Sequence, residues 1–374
     1  MLDCFAYVLL YPALEMQSSF KTLAVKGFLA VVVLLGSAFA GDSADRGDAR
    51  ARITPRLETT YKVQAGENGE IYPVFANYAS LLRQNERSFG VITVTIANHE
   101  NISLRRRIAV QVVGWSDQEI QIAELSAGAE KTYLFAPTFL PRFYKNHEIA
   151  AATAAISITD MAGHPVYETT APVHLRSSED MYWGSDFKYA PFIASWVTPH
   201  DAHVEAVLAR AKNYLRDRRL PGYENWKNRD LQEQETYREA GAIFAALKHM
   251  GLSYVKSSMT FGDHKNLSER IRMPRESLDL SSANCIDAAV TYASLFENLG
   301  MDATVVIVPG HAYAGVRVAD GAPKFLFIDV ALTGRATFEA AVASAEKGLA
   351  KYDSSFVKRI LIQDAREAGI YPLP

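Results

Sequence analysis

A change of hydrophobic period near residue 180 divides this 374-residue chain into two regions with different folding logic. From about 53 to 176, short runs rich in β-branched residues alternate with turn residues. The runs at 91–96, 108–113, 133–135, 154–158 and 166–170 are broken at Asn98, Gly114, Gly128 and Gly163. Branched side chains suit a pleated strand, and glycine and asparagine suit tight turns. The spacing predicts a β-sandwich of immunoglobulin-like type over residues 53–180. No cluster of chemically active side chains lies within it. After Trp183 the apolar residues recur at helical spacing. Thr198-Pro199-His200-Asp201 reads as a helix start, with threonine as the N-cap and proline in the first turn. Val204, Val207, Leu208, Ala211 and Leu215 then form one apolar stripe, which Pro221-Gly222 terminates. A second helix is expected from near Gln232 to about His249, and 337–351 and 356–362 read as a late helix and strand. Residues 181–374 thus form a second domain, and the whole chain is of α+β class.

The composition is that of a globular protein, 49% hydrophobic and 22% charged, and a net charge of −3 supports no nucleic-acid partner. The N-terminus reads as an export signal. Lys21 and Lys26 precede an apolar run over 27–35, and Ala38-Phe39-Ala40 offers a small-residue cleavage site. Residues 1–40 are read as a signal peptide with Met16 as its start, and 41–52 as a flexible lead-in. No later segment is long and apolar enough to span a bilayer. The expected location is periplasmic or extracellular. Removal of the signal takes Cys4 with it and leaves Cys285 as the one thiol, which cannot close an intramolecular disulfide. Such a domain must hold its fold by core burial. Asn101-Ile102-Ser103 and Asn266-Leu267-Ser268 match the N-glycosylation pattern.

The surroundings of Cys285 point to chemistry. Asn284 is a good N-cap, and Asp287 three residues on completes a capping box before a helix that ends at Gly300. Cys285 therefore occupies the first turn, where unpaired N–H groups and the helix dipole favour thiolate over thiol and can hold an oxyanion. A buried strand over 303–308 follows, interrupted by Pro309-Gly310. A second strand begins at His311, a turn falls at Ala319-Asp320-Gly321, and a return strand runs over 324–330. A turn centred on residue 320 sets His311 opposite Asp329, the pairing by which a carboxylate fixes the tautomer of a catalytic imidazole. His200 and His203 have the spacing of a metal pair but no third ligand nearby, and they read as a solvated first turn. No His-Glu-x-x-His motif and no EF-hand loop is present, so no metal and no cofactor is expected.

Asn284-Cys285-Ile286-Asp287, Pro309-Gly310-His311-Ala312-Tyr313 and Ile328-Asp329 together resemble the motifs of the transglutaminase-like superfamily, in its compact bacterial form. The similarity covers roughly residues 190–340. It implies a papain-like α+β fold for the second domain. It also implies Cys285 as nucleophile, His311 as general base and acid, and Asp329 as the orienting carboxylate. The expected activity is hydrolysis or transamidation of an amide or peptide bond through a thioester. Its substrate is expected to be a peptide, protein or cell-envelope amide. The competing expectation is a non-catalytic binding or assembly protein whose transglutaminase-like module is inactive.

Overall fold

The computed structural model describes residues 59–66, 69–79, 81, 91–223, 228–256 and 268–374. The expected export signal and lead-in, with Cys4 and Asn266, lie outside these residues. The described residues belong to one compact unit, residues 56–374, of mixed α+β character.

Its first half is built from eight strands: β1 (Thr60–Ala65), β2 (Glu70–Ile71), β3 (Ile92–Ala97), β4 (Leu104–Val112), β5 (Glu119–Leu125), β6 (Glu130–Phe135), β7 (Ala150–Thr159) and β8 (Pro165–Leu175). They form a three-stranded sheet, ordered β1-β3-β6, and a five-stranded sheet, ordered β2-β8-β7-β4-β5. Every pairing is antiparallel except β2 with β8. Alternation puts Ile92, Val94 and Ile96 of β3 into one apolar core with Ile108, Val110 and Val112 of β4 and Ile156 and Ile158 of β7. Arg105 and Arg107 of β4 point to solvent. β7 and β8 are longer than the sequence pattern indicates, 10 and 11 residues. Their outer positions include alanine, threonine and proline, which blur the contrast between the two faces. β5 escapes the sequence reading because Ile120 and Ile122 lie on its exposed side.

The second half opens with β9 (Asp180–Tyr182), α1 (Ala202–Ala211), α2 (Arg229–His249), β10 (Ser253–Tyr254), β11 (Ser268–Arg270), α3 (Pro274–Asp279) and β12 (Ser282–Ala283). It continues with α4 (Cys285–Asn298), β13 (Ala303–Val308), β14 (His311–Arg317), β15 (Phe325–Ile328), α5 (Phe338–Leu349), β16 (Lys358–Leu361) and α6 (Ile362–Glu367). β15, β14, β13 and β16 form an antiparallel sheet in that order. α4 is buried from Ile286 to Phe296 on every side, as expected of a helix at the centre of a domain. The cap of α1 is Asp201, not Thr198: its carboxylate accepts the His203 amide at 2.8 Å, so the helix starts beyond Pro199.

The halves meet across a buried charge network. Arg176 lies against the Tyr72 ring, with its guanidinium 3.0 Å from Glu70 and 2.9 Å from Asp180. The Tyr72 hydroxyl reaches Ser268 Oγ at 3.0 Å. Antiparallel pairing of β11 with β9 carries this support toward the start of α4.

Candidate active site

The first turn of α4 is held in place from both directions. Asn284 has extended backbone, and its side chain accepts the Asp287 amide at 2.8 Å, while Asp287 Oδ2 accepts the Asn284 amide at 3.3 Å. This is the capping box read from the sequence. Asp287 Oδ1 also accepts the Arg272 amide at 2.9 Å, which ties the turn to the segment after β11. Burial pushes the Asp287 carboxyl above its usual range, against the hydrogen bonds from these two amides. The first bond of the helical ladder runs from the Ala288 amide to the Asn284 carbonyl at 3.0 Å. The amides of Cys285 and Ile286 precede it, at the end of the helix where N–H groups can face an anion.

The chain reaches Cys285 through a sharp turn. Ser281 adopts φ +48°, a left-handed conformation uncommon for serine. The turn lets β12 pair in parallel with β10, and the Ser253 amide bonds the Ser281 carbonyl at 3.1 Å. Cys285 is partly exposed at the end of this path.

His311 is delivered by a two-residue hairpin. Val308 pairs with His311 across Pro309-Gly310; proline restricts φ at the first turn position, and Gly310 takes φ +75° at the second. Asp329 follows β15 directly. The register between β14 and β15 differs from the expected one: Ala314 pairs with Ile328 and Gly315 with Phe327, which centres the hairpin on residue 321 instead of 320. The Ala322 amide closes a turn on Ala319, and Val318 bonds Lys324 across it, so the partner of each β14 residue lies two positions further along than expected. Asp329 is therefore displaced along the strand from the place opposite His311. The side chains close the gap, with His311 Nε2 2.9 Å from Asp329 Oδ1.

A carboxylate only accepts, so Nε2 carries the proton in this bond and Nδ1 is left for the thiol. Cys285 lies close enough to His311 to be among the groups that act on the imidazole. Burial lowers the pKa of the imidazole, but hydrogen bonds to Asp329 and Cys285 and the charges of both overcome it and raise the value to about 9. Burial raises the Asp329 carboxyl, while the His311 bond and charge, a Ser344 bond and the Ala331 amide together bring it below the usual carboxylate range. The second oxygen, Oδ2, accepts from Ser344 Oγ at 2.7 Å. Tyr313 stands edge-on to the His311 ring, with centroids 4.6 Å apart. Burial, with the negative charges of Asp329, Tyr352 and Cys285, pushes its phenol up to about 12. It remains a neutral wall.

The three residues singled out in the sequence, Cys285, His311 and Asp329, are thus brought together. Two features near the site carry no local signal in the sequence. Ser344 arrives from α5, fifteen residues beyond Asp329. Glu269 of β11 faces the Trp183 side chain, and burial together with the charge of Asp287 raises its carboxyl to about 7.

His203 of the first turn pairs with carboxylates: Nδ1 lies 2.9 Å from Asp201 and Nε2 lies 3.1 Å from Asp279. A second group, His147, Glu179 and Glu276, has ligand atoms within 4.8 Å of one another. Three of its carboxylate oxygens already accept hydrogen bonds. Arg270 donates to both oxygens of Glu179, and the Met273 amide donates to Glu276 Oε2 at 2.9 Å.

No family model matches the chain, and no curated protein matches it. Among solved structures, a family 76 glycoside hydrolase from a bovine Bacteroides thetaiotaomicron strain aligns at 11% identity with a TM-score of 0.15. The alignment covers 56% of this chain and spans 46% of the hydrolase. A likeness of that size carries no argument about fold or function. Among the described residues, no helix is long and apolar enough to cross a membrane.

Proposed function

We propose that this protein is a cysteine-dependent acyl-transfer enzyme of transglutaminase-like type that cleaves or exchanges an amide bond. In this reading the second half is a papain-like core and the first an immunoglobulin-like sandwich. The observation that supports it best is the asymmetric use of the imidazole. Asp329 Oδ1 accepts a hydrogen bond from Nε2 at 2.9 Å, which leaves Nδ1 free to serve Cys285, at the start of a helix and near the imidazole.

The chemistry follows from that polarity. His311 Nδ1 accepts the thiol proton, and the sulfur attacks the amide carbonyl. The tetrahedral oxyanion forms beside the Cys285 and Ile286 amides, where donors fixed in advance stabilise developing charge. The imidazolium returns its proton to the departing amine as the C–N bond breaks, leaving a thioester on Cys285. Water or a second amine then attacks the thioester, with His311 removing its proton, and the thiolate is released. Water completes hydrolysis and an amine completes transamidation. The export signal read from the sequence makes extracytoplasmic peptide or cell-envelope amides the natural substrates.

The test is the rate of iodoacetamide labelling of Cys285 across pH, in parent and His311→Ala proteins carrying Cys4→Ser. Rapid labelling at pH 7 that slows on loss of His311, with Cys285→Ala unlabelled, supports the acyl-transfer reading. Slow labelling, the same with and without His311, would return the protein to the non-catalytic binding or assembly reading.

A further inference from the structure

Helix α5 presents one stripe to the acid–base pair. Ala341, Ser344, Ala345 and Gly348 recur at the spacing of a single helical face, and each meets a part of the site. The Ala341 carbonyl accepts the Asp329 amide at 3.1 Å. Ser344 Oγ donates to Asp329 Oδ2 at 2.7 Å. Ala345 packs in a small buried cluster with Val306, Val308 and Tyr313. Gly348 lies so close to Tyr313 that an added Cβ would sit 2.1 Å from the phenol oxygen. Tyr313 in turn walls the His311 ring. The helix thus grips Asp329 by main chain and side chain together, and supports the aromatic beside its partner.

Ser344 is the polar member of this stripe. A serine inside a helix ordinarily returns its hydroxyl to a carbonyl one turn back. Here the hydroxyl is donated to a carboxylate fifteen residues away, at the short distance of a charge-assisted bond. The two oxygens of Asp329 are then assigned: Oδ2 to Ser344 and Oδ1 to His311. A carboxylate anchored at one oxygen cannot rotate freely about its last bond, so the other oxygen stays aligned with Nε2.

We propose that Ser344 is a positioning residue of this site: its hydroxyl fixes the plane of the Asp329 carboxylate and so the orientation and tautomer of His311. The proposal rests on the Cys285–His311–Asp329 reading given above. Partners that hold a reacting side chain without touching the reaction commonly change rates by about tenfold when removed.

The experiment compares Ser344→Ala and Ser344→Thr with the parent, all carrying Cys4→Ser. It measures iodoacetamide labelling of Cys285 at pH 7, the titration of His311 by NMR, and the urea midpoint. Alanine is the better helix former and serine here is only partly buried. Loss of the charge-assisted bond to Asp329 offsets or outweighs that propensity, so Ser344→Ala is expected to stay folded at pH 7 with a slightly lower urea midpoint while labelling falls roughly tenfold. Ser344→Thr retains a hydroxyl and is expected to restore labelling to within about threefold of the parent. A positioning role predicts lost labelling together with a shifted His311 titration in a protein still folded; a merely structural role leaves the His311 titration unmoved. Ser344→Ala labelling within twofold of the parent, while His311→Ala is strongly slowed, overturns the proposal and leaves the active-site reading intact. A lowered urea midpoint that accounts for the lost labelling also overturns it. Labelling of the parent that is indifferent to His311→Ala removes both.

Discussion

Replacing Asp329 by asparagine preserves side-chain size but removes the charge that faces His311. In the parent, burial lowers the imidazole pKa, and Asp329 is first among the groups that reverse this and bring it to about 9. The rise of roughly 2.5 units over the ordinary histidine value corresponds to about 3 kcal/mol in favour of the imidazolium. Without the carboxylate, burial is opposed by Cys285 alone, and His311 is expected to titrate near or below 6.5. At pH 7.5 the protonated share then drops from about 97% to about 10%. The same shift appears in stability. A histidine whose pKa is raised on folding contributes fully below pH ~6.5 and loses that contribution as pH rises through about 9. The parent should therefore lose up to roughly 3 kcal/mol relative to Asp329→Asn between pH 6.5 and 9.5. NMR titration of the histidine ring, assigned by comparison with His311→Ala, reads the pKa, and urea denaturation at the two pH values reads the linkage. Iodoacetamide labelling at pH 7.5 reads the consequence for Cys285. A variant in which His311 still titrates near 9, or labels within twofold of the parent, would refute the argument that Asp329 sets the protonation of the pair.

Other outcomes follow from buried groups and close approaches elsewhere. Glu239 of α2 is fully buried, and its two oxygens share the Gly222 amide at 3.2 and 3.3 Å; burial raises its pKa to about 8. Its stabilising contribution as a neutral acid is complete below the usual carboxylate range and lost as pH rises through 8. Glu239→Gln is thus expected to raise stability by on the order of 3 kcal/mol at pH 8.5 and very little at pH 4, measured as urea midpoints; an equal effect at both pH values counts against it. Gly348→Ala places a Cβ 2.1 Å from the Tyr313 hydroxyl, so despite alanine's helix propensity it should destabilise by about 1–3 kcal/mol and slow Cys285 labelling. Adding Tyr313→Phe removes the clashing oxygen and should restore most of both losses. A double variant no better than Gly348→Ala alone would show that the contact with Tyr313 is not the cause.

The start of α4 is legible residue by residue because capping is local: Asn284 and Asp287 satisfy each other within one turn, and nothing distant is needed to place Cys285 there. The hairpin that carries His311 is legible for the same reason, since Pro309-Gly310 defines a two-residue turn between two branched strands. Its partner strand is less so. The count of residues in the turn after β14 decides the register, and the longer turn shifts the pairing by two residues in a way the turn signal at 319–321 does not reveal. The Thr198 cap fails similarly, because Asp201 competes for the same helix and offers the better acceptor.

What the amino-acid order determined by itself is the set of locally encoded parts: alternating strands, a capped helix bearing the thiol, and a hairpin bearing the imidazole. Each rests on interactions among residues a few positions apart, which leave a periodic or motif-like trace. Only the tertiary structure decided how those parts complete one another. The division of eight strands into sheets of three and five, the Arg176 network between the halves, and the grip of Ser344 on Asp329 join residues far apart in the chain. A serine two turns into α5 looks like any other helix serine until the helix docks against the sheet and its hydroxyl finds a carboxylate 2.7 Å away.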